Sequence, residues 1–383
     1  MAFVARALAR GASRRLASSS TSTTAPTPSS SRRASSVTEA ATYATRGPAH
    51  EVLEVTTVPL PPMGPGDVRV RMLAAPVNPS DVNIIEGKYP LPRAVPGVGG
   101  NEGVGEVVAA GAACVGARVG DRVVPNRSYV DGTWRRDIVS ACENFDVIDR
   151  DVPVHAAATL TVNPCTALRL LEDYDAREGE TVVINAATSG VGRALLQIAR
   201  TRGIRTIAMC RPREDARETE EVFESLRADG ADVVLPDVEG KMLRLDARTR
   251  ELASRARVAY NAVGGYSAQT MLRLLQPNAG SRMVTYGGMS KQPLLVPTGA
   301  FIFKDITLSG FWLTRWLEHD ATHNSSRGRR AMLDEICALI RSGALVVDAA
   351  RFRDVPLARL QSTLALDAAD PDRPGLHKIL LRL

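Results

Sequence analysis

Apolar residues recur at two different spacings along this 383-residue chain. Between residues 51 and 125 they come in short runs broken by Gly and Pro, the punctuation of strands. Glu51–Pro59 and Val68–Ala75 read as strands on either side of the turn-rich Pro61–Asp67 segment. Gly97–Ala110 alternates Gly with Val and Glu, and Arg118–Pro125 is a further short strand with a Gly-Asp turn. These runs predict an all-β unit, with a barrel as one way to close it.

Val154–Leu171 changes character. Asn163-Pro164 supplies an N-cap followed by Pro at the first helical position, and Ala167, Leu168 and Leu171 form an apolar stripe. From Thr181 strand and helix alternate. Strands are expected at Thr181–Ala186, Arg205–Cys210, Asp232–Leu235, Ala256–Val263 and Ser281–Tyr286, and helices at Gly190–Arg202 and Phe223–Gly230. That alternation predicts a doubly wound parallel sheet. Arg330–Arg341 reads as a helix stopped by Gly343, and the last 40 residues read as short strands. The fold class is therefore α/β.

The composition is 44% hydrophobic and 23% charged, which excludes collagen, coiled coil and a disulfide scaffold. No apolar stretch reaches the roughly 18 residues of a membrane span. The net charge of +6 is matched by six Arg within residues 1–38, where no acid occurs, so the rest of the chain is near neutral and no nucleic-acid footprint is indicated. Arg6, Arg10 and Arg14 recur every four residues in a Ser- and Ala-rich setting without an apolar core. This reads as an organelle transit peptide over residues 1–40, against a plain disordered tail. A mitochondrial leader fits the Arg spacing, and the matrix is the expected location; a chloroplast leader is the alternative. Cys114, Cys142, Cys165, Cys210 and Cys337 are dispersed, with no CxxC and no paired His spacing, so free thiols and no metal site are expected.

The segment Asn185-Ala186-Ala187-Thr188-Ser189-Gly190-Val191-Gly192 lies between an expected strand and an expected helix. Ala186 stands where a full GxGxxG has its first Gly. In this context Thr188, Ser189, Gly190 and Val191 bring backbone N–H groups and a helix N-terminus up to a pyrophosphate. Some 20 residues on, an NAD-binding chain carries an acid. Here Cys210-Arg211-Pro212-Arg213 follows instead, and two guanidinium groups suit the 2′-phosphate of NADPH.

A Gly-rich β unit, Asn163-Pro164 and a Ser-Gly-Val-Gly loop, in that order, resemble the medium-chain dehydrogenase/reductases. The metal-ligand pair of their zinc branch is replaced by Gly99-Gly100-Asn101-Glu102, and Asn78-Pro79-Ser80-Asp81 stands at the position of the first catalytic Cys. Asn78–Asn83, Gly87-Lys88-Tyr89, Pro96–Gly103 and Asn163–Ala167 are similar to the zinc-free mitochondrial 2-enoyl thioester reductases. So are Tyr286–Pro293, Phe303-Lys304-Asp305 and Gly310–Leu313. The resemblance spans about residues 40–383.

It implies a GroES-like catalytic domain at residues 41–162, completed by about 315–383, and a Rossmann NADPH-binding domain at 163–314. It also implies NADPH-dependent reduction of an enoyl-CoA or enoyl-acyl-carrier-protein thioester. Tyr89 is the catalytic residue by its Gly-Lys-Tyr-Pro setting. Asn163, Tyr286, Gly287, Gly288, Met289, Phe311, Trp312, Leu313 and Lys378 are expected around the cofactor, with no metal. An acyl carrier protein and a second copy of the chain are the expected partners. A zinc-free quinone oxidoreductase is the alternative reading. It would tolerate loss of the Tyr89 hydroxyl.

Overall fold

The structure, a computed structural model, describes residues 36–383 apart from 92, 127–130, 241–244, 325–326 and 370–377. The leader reading lies outside the described residues as far as residue 35. Val37–Tyr43 is already a strand, so folded chain begins before residue 40.

Six parallel strands form the cofactor sheet: β1 Thr181–Ile184, β2 Arg205–Cys210, β3 Val233–Pro236, β4 Ala256–Asn261, β5 Arg282–Thr285 and β6 Thr307–Gly310. They lie in the order 3-2-1-4-5-6, so the chain reverses direction of winding beside β1. Every residue of β1 is buried, as a strand covered by helices on both faces requires. The helix Gly190–Thr201 buries Val191, Leu195, Ile198 and Ala199 against it. On β4 the buried Tyr260 hydroxyl donates to the Leu170 carbonyl at 2.8 Å. This bond pins the helix Asn163–Asp173 to the sheet and spares a buried phenol from going unpaired.

The β-rich part is a seven-stranded sheet. Phe352–Pro356, Lys378–Arg382, Asp67–Pro76, Val104–Ala110, Arg122–Pro125 and Phe145–Ile148 follow one another, and Asp137–Ala141 also pairs with Asp67–Pro76. A smaller sheet joins Leu53–Pro59, Val37–Tyr43 and Gly97–Val98. Trp134 is fully buried, and its indole N–H donates to the Pro76 carbonyl at 3.0 Å. A Cβ on Gly99 would come within 2.3 Å of Trp134, and one on Gly100 within 2.3 Å of Thr133 and 2.4 Å of Trp134, so these glycines are needed for close packing there.

Several elements differ from the sequence expectation. Glu51 lies in a short helix, Ala49–Val52, and the strand starts at Leu53. The helix expected at Phe223–Gly230 begins seven residues earlier, at Ala216. The last 40 residues hold the helix Leu360–Ala369 besides their strands. The expectation of five free thiols is also corrected, because Cys114 and Cys142 form a disulfide. Their strands flank the start of Asp67–Pro76, with Val68 opposite Ala110 and Asp67 opposite Ala141, so the residues that follow converge. Cys165, Cys210 and Cys337 are free and buried.

Candidate active site

A cleft of about 1160 Å³ is lined by residues of both sheets. Just beyond β1 lies the buried Asn185, whose side-chain amide donates to Asn261 Oδ1 at 2.8 Å and Ser267 Oγ at 2.9 Å. Its Oδ1 accepts from the Ala262 N–H at 2.7 Å. The carboxyl ends of β1 and β4 are thereby locked together. Ala186 then takes φ of +47°, a left-handed turn that costs an alanine about 1 kcal/mol. This is the place where the fingerprint has its first glycine.

Ser189 caps the following helix, its Oγ accepting from the Gly192 N–H at 3.1 Å. A Cβ on Gly192 would sit 2.5 Å from the Ala187 carbonyl oxygen, and one on Gly190 would sit 2.9 Å from Asn163 Cγ. The loop therefore approaches the helix as closely as a dinucleotide cradle requires. Asn163 is not the helix cap that its sequence suggests. The helix starts at Asn163 itself, with Val162 as the capping residue, and no side chain caps it. The Asn163 amide instead packs over Gly190 at the cleft wall.

The residues singled out from sequence converge on this cleft. Thr188, Ser189, Gly190 and Val191 line it, as do Tyr286, Gly287, Gly288, Met289, Phe311, Trp312, Leu313, Arg211 and Arg213. Pro212 does not line it and is exposed. Among the described residues Arg213 Nε is buried without a hydrogen-bond partner, and the buried Tyr286 hydroxyl faces the Ser189 side chain. An unmatched guanidinium donor together with a helix N-terminus suits an anionic ligand. The residues present thus fit a phosphorylated dinucleotide. Asp237, which the sequence reading missed, also lines this end at the close of β3. It accepts from Ser267 Oγ at 2.6 Å, and burial raises its carboxyl while Arg211 opposes the rise.

At the other end, the Trp312 indole N–H donates to the Tyr89 hydroxyl oxygen at 2.9 Å. The rings meet edge to face, 6.0 Å apart. Because the phenol accepts here, its own O–H is left to donate elsewhere. Burial pushes the Tyr89 phenol above the usual tyrosine range and the Asp81 charge adds to this, while the Trp312 bond opposes it. The hydroxyl is therefore protonated at neutral pH.

Beside Tyr89 lies a buried polar cluster. Its members appear in sequence only as fragments of motifs. The strand Lys378–Arg382 runs antiparallel to Asp67–Pro76, with Leu380 opposite Pro76, so Lys378 arrives at Asn78. Lys378 Nζ donates to Asn78 Oδ1 at 2.5 Å, and Asn78 Nδ2 donates to Glu102 Oε1 at 2.7 Å. The Asn78 backbone N–H donates to Asp81 Oδ2 at 2.7 Å. Burial pushes the Asp81 carboxyl up to about 7; the bond from Asn78 opposes this and Glu102 reinforces it.

Comparison with known proteins gives the same picture. Residues 64–146 match the alcohol dehydrogenase GroES-like domain and residues 190–325 the zinc-binding dehydrogenase domain. The mitochondrial enoyl-acyl-carrier-protein reductase of Rattus norvegicus is 40% identical over 339 residues, covering 88% of this chain and 87% of that protein. The mitochondrial 2-enoyl thioester reductase heterodimer Etr1p/Etr2p of Candida tropicalis is 27% identical with a TM-score of 0.76. The complex of Etr1p with NADP and crotonyl-CoA is 28% identical with a TM-score of 0.77. Each covers 91% of this chain and 100% of its own. With that identity over most of its length, and the same two-sheet architecture around one cleft, this chain belongs to the mitochondrial enoyl-acyl-carrier-protein reductase family.

Proposed function

We propose that this protein reduces trans-2-enoyl thioesters to saturated acyl thioesters with NADPH, the last step of the mitochondrial fatty-acid synthesis cycle. NADPH, when bound, supplies the hydride that adds to the β-carbon. The protein's part is to hold ligands and to manage the charge that builds on the thioester oxygen. Thr188 to Val191 and the helix behind them receive the pyrophosphate, and Arg211 and Arg213 receive the 2′-phosphate. Asn163, Tyr286 to Met289 and Phe311 to Leu313 border the cofactor. Tyr89 donates its free O–H to the enolate or delivers a proton to the α-carbon.

The observation that carries this reading is the protonated Tyr89 hydroxyl, held by Trp312 in the cleft that also contains the arginine pair. A steady-state assay of the leader-free protein tests it. Enoyl thioesters of C4 to C16 and quinones are compared, each with NADPH and NADH. Turnover of crotonyl-CoA with NADPH supports the reading. Quinone reduction without thioester reduction transfers the site to the quinone oxidoreductases.

Three further expectations belong to this reading. The catalytic part is residues 41–162 with about 315–383, around a cofactor part at 163–314. The protein works in the mitochondrial matrix, where its substrate is carried on an acidic acyl carrier protein. It pairs with a second copy through the cofactor sheet. In support of pairing, β6 is an edge strand of that sheet, and Phe301, Ile302 and Phe303 are exposed just before it.

A further inference from the structure

Glu102 takes no part in the chemistry described so far, yet its carboxylate is wholly buried. All of its hydrogen bonds are accepted: from Asn78 Nδ2 at 2.7 Å, the Val162 N–H at 3.0 Å and Thr161 Oγ at 3.3 Å. Burial pushes this carboxyl up, and Lys378 together with three donors and no acceptor opposes the rise and favours the ionised form. The same geometry fixes the Asn78 amide. Its NH2 end must face the carboxylate, so its oxygen must face Lys378, whose ammonium it meets at 2.5 Å. Turning the amide over would set oxygen against carboxylate and NH2 against ammonium.

Lys378 needs such support. It lines the cleft, and burial pushes its ammonium below the usual lysine range. Glu102 opposes that loss first, and Asp81 second. Among the described residues the groups facing this cluster are Arg93, which opposes the rise at Asp81, Tyr89, on which the Asp81 charge also acts, and the buried Cys165 thiol, on which the Glu102 charge acts. Lys378 therefore belongs to the Tyr89 end of the cleft. Among the described residues Asn78 takes one of its three N–H donors, and the others can meet a ligand oxygen.

We propose that Glu102 is a positioning residue which, acting through the Asn78 amide, keeps the Lys378 ammonium charged and aimed into the cleft beside Tyr89. The inference deepens the reductase reading and rests on it for the use made of that charge. The linkage itself is a property of three side chains and can be measured without turnover.

Competitive acetylation with acetic anhydride, followed residue by residue with mass spectrometry from about pH 7 to about pH 11, gives the Lys378 midpoint in the full folded protein. Glu102→Gln is expected to lower that midpoint by at least about one pH unit. Asn78→Ser, which leaves both charges in place and cuts the bridge, is expected to lower it too. The alkaline limb of kcat/KM for crotonyl-CoA moves down with it, by the same interval. Lys378→Met removes that limb, and Glu102→Gln added to Lys378→Met has little further effect. An unchanged Lys378 midpoint in both Glu102→Gln and Asn78→Ser overturns the proposal. If Glu102→Gln does not fold, Asn78→Ser decides the matter. A shifted midpoint in a parent protein that turns over no enoyl thioester upholds the linkage and refutes the reductase reading.

Discussion

The Trp312 indole N–H reaches the Tyr89 hydroxyl at 2.9 Å, joining a loop of the β-rich part to the segment just beyond β6. The tyrosine and tryptophan are 223 residues apart in sequence. Their meeting sets the direction in which the phenol donates. Tyr89→Phe is expected to lower kcat by roughly 10²–10⁴-fold with NADPH affinity preserved. Trp312→Phe keeps a ring and loses the N–H, and is expected to cost only about tenfold. Equal turnover by Tyr89→Phe and the parent, in a crotonyl-CoA assay, removes the phenol from the mechanism.

Arg211 and Arg213 are charged donors at the end of β2. In the proposed site each would give a 2′-phosphate a charge-assisted hydrogen bond of about 1.5–3 kcal/mol. Replacing either with Ala should raise the KM for NADPH by roughly 10–100-fold and leave that for NADH nearly unchanged. A parallel rise for both cofactors would place these residues outside the 2′-phosphate site.

Gly192 holds the loop against its helix. A Cβ there would stand 2.5 Å from the Ala187 carbonyl oxygen, whose own N–H is committed to the Met209 carbonyl at 3.1 Å. Neither side can give cheaply. Gly192→Ala should weaken NADPH binding at least about tenfold, since the loop amides move away from the pyrophosphate. Titration of NADPH fluorescence measures this, and parental affinity in the variant would contradict it.

Asp81 links stability to pH with an unusual sign. Its folded carboxyl keeps its proton up to about 7, whereas the unfolded one releases it near 3.8. Between these values folding takes up a proton, so this group's contribution falls as pH rises and is lost above about 7. Asp81→Asn imitates the protonated acid. Its melting temperature should exceed the parent's at about pH 8 and match it at about pH 4. A difference independent of pH would show that Asp81 titrates normally.

Local signals explain what was legible from sequence. In Arg205–Cys210 the apolar run Ile207–Cys210 follows a polar start, and the whole stretch is the strand observed. The helix Ala216–Asp229 was half seen because Ala216–Val222 is mostly charged and shows no apolar period. Its capping was nonetheless written locally: Asp215 accepts from the Glu218 N–H at 2.9 Å, a spacing that could have marked the start. Leu360–Ala369 gave no such sign, since Leu360 is its one buried residue.

The sequence by itself determined the α/β organisation, the Gly-containing loop after β1, the basic residues after β2 and the candidate phenol. Each of these is a short string whose physics is local: a period, a cap, a turn or a charge. Tertiary structure decided which strings share a site. The pairing of Lys378–Arg382 with Asp67–Pro76 brings Lys378 to Asn78, and the packing of Trp134 on Gly99 and Gly100 shapes the turn before Glu102. Burial then gives the cluster its chemistry, because withdrawing these charges from water alters their proton affinities in a way that no sequence spacing records.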